Sequence, residues 1–147
     1  MKRLLLSLAL GFIAAGSFAQ ATPAVVKGED FIKFKETVHD FGKIKQGVPV
    51  TYDFVFTNVS SKTVVIESAT ASCGCTTPVK PEQPVAKGKS DKIKAGFNAA
   101  SPSPFDKTIF VKVAGVAQPM EIKIKGEVLS PDAYAKYQTE KGKKSGK

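Results

Sequence analysis

Cys73, Gly74 and Cys75 place the only two thiols of the chain one residue apart. Thiols at that spacing have three chemical fates. They can close a local disulfide, exchange disulfides with another thiol, or hold a soft ion such as Cu(I) between two thiolates. In an extended strand, residues two apart face the same side with Cα atoms about 6.6 Å apart. That is near the outer limit for a bridge. Gly74 is therefore read as turn-enabling, letting the chain bend where a side chain would clash. A bridge closed that way is expected to be strained, and strained bridges are the more easily reduced. Structural zinc wants four ligands, and His39 is the only histidine. A zinc site would need His39, a carboxylate such as Asp40, or a second chain. Met120 is a thioether, but it sits on the apolar side of an alternating segment and is assigned to core packing. No metal site is assigned, with Cys73 and Cys75 as the alternative pair for Cu(I). No G-x-S-x-G, H-E-x-x-H or Gly-rich phosphate loop occurs. A cysteine nucleophile would have only His39 as base. The chain is read as a non-enzyme without a cofactor.

The compartment follows from the N-terminus. Met1-Lys2-Arg3 is basic, Leu4 to Ala15 is apolar, and Gly16 to Ala21 supplies small residues. This is the pattern of a signal peptide cut after Ala19 or Ala21. The apolar run is shorter than the ~20 residues that a bilayer requires. The expectation is an exported chain, periplasmic or extracellular, with no membrane span after cleavage. The formal charge of +9 is concentrated toward the C-terminus, where Lys136, Lys141, Lys143, Lys144 and Lys147 face Glu140 alone. Interspersed with Gly142, Ser145 and Gly146, these lysines are read as a solvated, disordered tail rather than an adhesion site for anionic lipid, glycan or nucleic acid.

Elements that could position the thiols are β-strands. Val48 to Asn58 alternates, with Val48, Val50, Tyr52, Phe54 and Phe56 on one face. Met120 to Val128 alternates more cleanly, and Phe31–Lys35 and Asp91–Phe97 do so too. Thr63–Ala69 and Thr108–Val113 are β-branched runs suited to strands. Asn58 to Lys62 is a turn, Pro78–Ser90 and Asn98–Pro104 are surface connections, and Ala114 to Gln118 closes a hairpin. The pattern predicts an all-β, antiparallel sandwich of about seven strands. Pro131 to Tyr137 is predicted to add a helical turn or two, with Ser130 as N-cap. An antibody-type core is excluded: there is no tryptophan, and Cys73 and Cys75 are too close to staple two sheets. A bridge over so short a loop restricts the unfolded chain little.

Asp40-Phe41-Gly42, Phe54-Val55-Phe56-Thr57-Asn58 and Ala71-Ser72-Cys73-Gly74-Cys75-Thr76-Thr77-Pro78 occur in that order. Pro84 and Gly88, then Ile124-Lys125-Gly126-Glu127-Val128, follow. Together they resemble the secreted bacterial domain-of-unknown-function family 1573 over about residues 30–128, with S-C-G-C-T the specific motif. The chain departs from it at Lys87, where the family often has proline, and at the Gly115 hairpin, which lacks a frequent asparagine. The resemblance implies an immunoglobulin-like sandwich related to Hydin-type and pilus-chaperone-like domains, and no established activity. The expected organisation is a signal peptide over 1–19 and a linker over 20–29. A sandwich over 30–130 and a short helix with a Lys-rich tail over 131–147 complete it. The expected function is an exported binding or structural module with a protein or cell-envelope partner. The alternative is a thiol protein acting through Cys73-Gly74-Cys75.

Overall fold

A computed structural model describes residues 26–145. The apolar segment and its cleavage positions therefore lie outside the described residues. The order is a 3-10 turn (Gly28–Asp30), β1 (Ile32–Phe34), β2 (Val38–Lys45), β3 (Val50–Asn58), β4 (Ile66–Ala71), β5 (Thr76–Val79), β6 (Ser90–Phe97), β7 (Ser103–Val113), β8 (Met120–Leu129) and α1 (Pro131–Ser145). Two four-stranded sheets, ordered β1-β3-β6-β5 and β2-β8-β7-β4, pack face to face. The alternation explains the packing. Phe54, Phe56, Ile93 and Ala95 from one sheet meet Ile109, Val111, Ile122 and Ile124 from the other, all fully buried. Phe97 stacks on Phe105 across the sheets, with ring centroids 4.1 Å apart.

Several expectations are corrected. The sandwich is not wholly antiparallel, because β2 pairs parallel to β8. The chain changes sheets between β1 and β2, so β2 runs beside the last strand in the same direction. A bulge between Asp40 and Lys43 interrupts that pairing, which explains why Asp40-Phe41-Gly42 does not show a clean alternation. The end of the expected linker is fastened down: Gly28 is buried, and a Cβ there would strike the Met120 side chain. Pro78–Ser90 is not all connection, since Pro78 and Val79 pair with β6 and Val85 bridges Val64. Helix α1 is also longer than the one or two turns expected and runs through most of the predicted disordered tail. Ser130 Oγ accepts from Ala133 N–H as the expected cap. Beyond it, Ala133, Ala135, Lys136, Gln138, Glu140, Lys141 and Lys143 are good helix formers, and Lys43 lies over the Tyr137 ring.

Asn58 is the principal polar group of the interior, only 1% exposed. Its Nδ2 donates to Lys62 O at 2.7 Å and to Val85 O at 2.8 Å. Its Oδ1 accepts from Ser60 N–H at 2.9 Å and faces the Ser60 hydroxyl at 2.8 Å. Its backbone bonds Lys89 O and Gly88 N–H. An asparagine side chain has two N–H donors and a two-fold acceptor, and all are engaged here. Replacing Asn58 with alanine removes four side-chain hydrogen bonds from a buried position, so Asn58→Ala is expected to cost about 2–4 kcal/mol in urea unfolding. A loss below about 0.5 kcal/mol would refute this role.

Candidate functional site

The Cys73-Gly74-Cys75 segment is the link by which the chain leaves one sheet for the other. β4 and β5 are edge strands of opposite sheets, and only residues 72–75 separate them. Ser72 N–H bonds Thr108 O on β7, and Asn98 N–H bonds Cys75 O beyond β6. Between these anchors Thr76 N–H returns to Cys73 O at 3.3 Å, closing a turn. Turning rather than extension brings the Cα atoms of Cys73 and Cys75 to 5.4 Å, and the two cysteines are disulfide-bonded. The geometry of an extended strand assumed from the sequence therefore does not apply. Thr76 is buried beneath the bridge, with its hydroxyl 3.7 Å from Cys73 Sγ.

Gly74 needs correcting in the same terms. It is exposed, it is not among the glycines with positive φ, and a Cβ built on it meets nothing within 4 Å. A side chain would not clash there. The close approach lies instead at Gly126, where a Cβ would come within 2.7 Å of Gly42 O.

The residues weighed as metal ligands are not brought together. His39 and Asp40 are on β2, at the opposite edge of their sheet from β4. Three strand spacings of ~4.8 Å separate those edges. Met120 packs in the core, 9% exposed. Among the described residues no group of three or more His, Cys, Asp or Glu is placed to hold a metal. His39 is not a free surface residue either. Its ring stacks on Tyr52 with centroids 3.5 Å apart, meets the edge of Phe41, and lies 3.3 Å from Glu36 through Nδ1. This cluster joins β2 to β3 across the sheets. Hydrogen bonding to Glu36, then burial and the charges of Glu36 and Asp53, raise the Tyr52 pKa above its ordinary value.

Which strands form the free edges is not legible in the sequence, because an edge is a property of strand order. Of the four, β4 is the least protected. Ser72 bonds Thr108, and Thr70 and Ser68 pair with Phe110 and Lys112. In such a ladder alternate residues turn their N–H and C=O outward, so those of Ala69 and Ala71 point away from β7. β5 is blunted: Pro78 takes an outward position, and the outward N–H of Thr76 is used in the turn. β2 carries a bulge, Lys43 and Lys45, and β1 is three residues long. Proline, lysine, bulges and shortness are the usual protections of a sheet edge. Beside β4 runs a groove of about 430 Å³ lined by Glu67, Ser68, Ala69, Pro78, Val79, Lys80 and Glu82.

A fold of this kind defines an immunoglobulin-like, PapD-type sandwich with a disulfide-clipped crossover. The model of the family described as "Protein of unknown function (DUF1573)" matches residues 32–128, and the chain belongs to that family. No curated protein matches the chain. Among solved structures it is similar to a protein of unknown function from Porphyromonas gingivalis W83, with a TM-score of 0.57 and 17% identity over 66% of this chain and 46% of that one. It is similar to PapD-like domain 7 of human CEP192, with a TM-score of 0.55 and 8% identity over 80% and 99% of the two chains. A third likeness, to the Vibrio cholerae VesB protease, has a TM-score of 0.52 and 16% identity, and covers 67% of this chain but 32% of the protease. This chain thus spans under half of the first and third of these proteins. At such identities the likeness is one of fold.

Two expected outcomes follow from the site geometry. Joint replacement of Cys73 and Cys75 by alanine should lower stability by at most about 2 kcal/mol, given the size of the loop. Gly74→Ala should leave it unchanged within ~0.5 kcal/mol. Thermal unfolding measures both, and a collapse of the melting temperature in either would overturn this account. The raised Tyr52 pKa favours the protonated phenol in the folded state. Its contribution to stability is complete below the ordinary tyrosine pKa of ~10 and is lost as pH rises through the folded value. Absorbance titration, with Tyr52→Phe to assign the signal, should show the Tyr52 midpoint falling in Glu36→Gln. No change in midpoint would remove Glu36 as the cause.

Proposed function

We propose that the chain is an exported, non-catalytic binding module of the cell envelope that takes up a strand of a protein partner along β4. The outward backbone groups of Ala69 and Ala71 carry this reading. Main-chain hydrogen bonds supply affinity in strand addition, and neighbouring pockets supply specificity. Here the groove between β4 and β5 offers such a pocket, with Val79 57% exposed along it. Export is supported by Met1-Lys2-Arg3, the apolar Leu4–Ala15 run and the small residues up to Ala21. The disulfide then acts as a local clip, holding the crossover so that β4 ends in a defined place. His39, the only histidine of the chain, lies on β2 at the far edge of its sheet from β4, and this supports a non-catalytic role.

A second reading rests on one observation: Cys73 and Cys75 are half-exposed at the rim of the sandwich. Reduced, they would form a thiol pair for Cu(I) binding or disulfide exchange.

The experiment is a photo-crosslinking residue at Thr70, on the exposed side of β4, in the native host. The expected outcome is an adduct with an envelope protein that disappears in Ala69→Pro, which removes one outward N–H and leaves the β7 ladder intact. An adduct insensitive to proline, or none, would overturn strand addition. Tight Cu(I) uptake by the reduced chain, lost in Cys73→Ser, would favour the thiol reading instead.

A further inference from the structure

We infer that the outer face of the β1-β3-β6-β5 sheet docks on a membrane surface of anionic lipid headgroups. The register places the residues. Phe54 and Phe56 of β3 and Ile93 and Ala95 of β6 are buried, so their neighbours along each strand point outward. Lys33 lies opposite Thr57, and Lys35 bonds the Val55 carbonyl through its N–H. Lys92 lies opposite Val55, and Lys94 opposite Asp53. These four lysines are exposed, and they crowd the middle of one sheet. Asp53 is the only carboxylate in outward register on these strands, and Lys92 pairs with it. Thr51, Thr57, Thr77 and Ser90 add hydroxyls to this face, and Val55 and Gly96 take further outward positions between them.

The opposite face has lysines too, but they are interleaved with acids. Lys43 pairs with Glu127 at 3.9 Å and Lys125 with Asp40 at 3.7 Å. Glu121 and Asp106 separate the rest. The strands of the two sheets thus differ in charge pattern: the lysines of the β2-β8-β7-β4 face alternate with acids, and the other face carries four lysines against Asp53.

The chemistry of the face selects the partner. Every basic side chain on this face is lysine, a compact point charge without the planar fork that reads a single phosphate or carboxylate. No aromatic residue stands in outward register on this sheet, so there is no platform for stacking nucleic-acid bases. A broad, open sheet of point charges and hydroxyls complements a plane of anions. Val59 follows β3 at the border of this face, 51% exposed. A shallow hollow of about 230 Å³ lined by Lys33, Phe34, Lys35, Thr57 and Val59 has the size for one headgroup. The β4 edge belongs to the other sheet, so membrane docking leaves the proposed strand-addition site open.

The test is sedimentation of the full chain with phosphatidylcholine vesicles, with and without phosphatidylglycerol, at low and raised salt. The expected result is binding that requires phosphatidylglycerol and falls with salt. Near an anionic surface each lysine contributes roughly fivefold in affinity. Joint Lys33→Gln, Lys35→Gln, Lys92→Gln and Lys94→Gln should thus weaken binding by a few hundredfold. The charge-matched control, Lys43→Gln, Lys45→Gln, Lys123→Gln and Lys125→Gln on the other face, should lose under tenfold. The milder pair Lys33→Gln with Lys94→Gln keeps the test open if the larger set unfolds. Three results would overturn the inference: no dependence on phosphatidylglycerol, equal losses on the two faces, or capture of soluble dextran sulfate without vesicle binding. Because the strand-addition variant Ala69→Pro should sediment normally, the two readings fail separately.

Discussion

The carboxamide of Asn58 is the constraint on which the arrangement of this sandwich rests. A strand that ends in the interior must dispose of its polar backbone before the chain can cross to the opposite sheet. Asn58 does this by binding both sides of the crossing at once: Lys62 O on the outgoing chain and Val85 O on the later loop. With those carbonyls held, Val64 can bridge Val85 and the chain enters β4 in the second sheet. No buried side-chain nitrogen or oxygen lacks a partner among the described residues. In a low-dielectric interior that completeness is what makes such a network stabilising.

The Cys73–Cys75 turn is the counterpart of that crossing. Asn58 controls entry into β4, and the disulfide turn controls exit to β5. Both ends of one edge strand are thereby pinned by local devices, while the strand itself keeps a free side. The bridge adds little to global stability because it closes a minimal loop. Its effect is positional, fixing where β4 stops and where the blunted strand β5 begins. The S-C-G-C-T segment and the exposed edge are thus adjacent for a structural reason.

Charge adds a second asymmetry. Ion pairs occupy the outer side of the β2-β8-β7-β4 sheet, whereas lysines dominate the other. Exposed pairs of this kind contribute little stability, so their distribution reads as a pattern of surfaces. One sheet offers backbone at its edge, and the other offers charge on its face. α1 adds further lysines, but as an ordered helix beside Lys43.

Much of this was legible from residue order. The alternation in Val50–Asn58 and Met120–Leu129 announced strands because period-two burial is a local property of a half-buried sheet. The S-C-G-C-T motif and the Asp40–Gly42 and Val128 segments indicated the family, and the matched region bears that out. Less legible were β2, whose bulge breaks the alternation, and the full length of α1. Gly74 was misread because its freedom was inferred from an extended chain, whereas the local path is a turn with open space around it. By itself, then, the sequence determined that the chain is an all-β sandwich with its two thiols confined to one local segment, since those follow from side-chain periodicity and chain separation. Only the tertiary structure decided that β2 runs parallel to β8, that Asn58 is a buried hub, that β4 is the open edge, and that four lysines share one face. Strand order and register bring together residues far apart in the chain, and no local pattern encodes which neighbours they will meet.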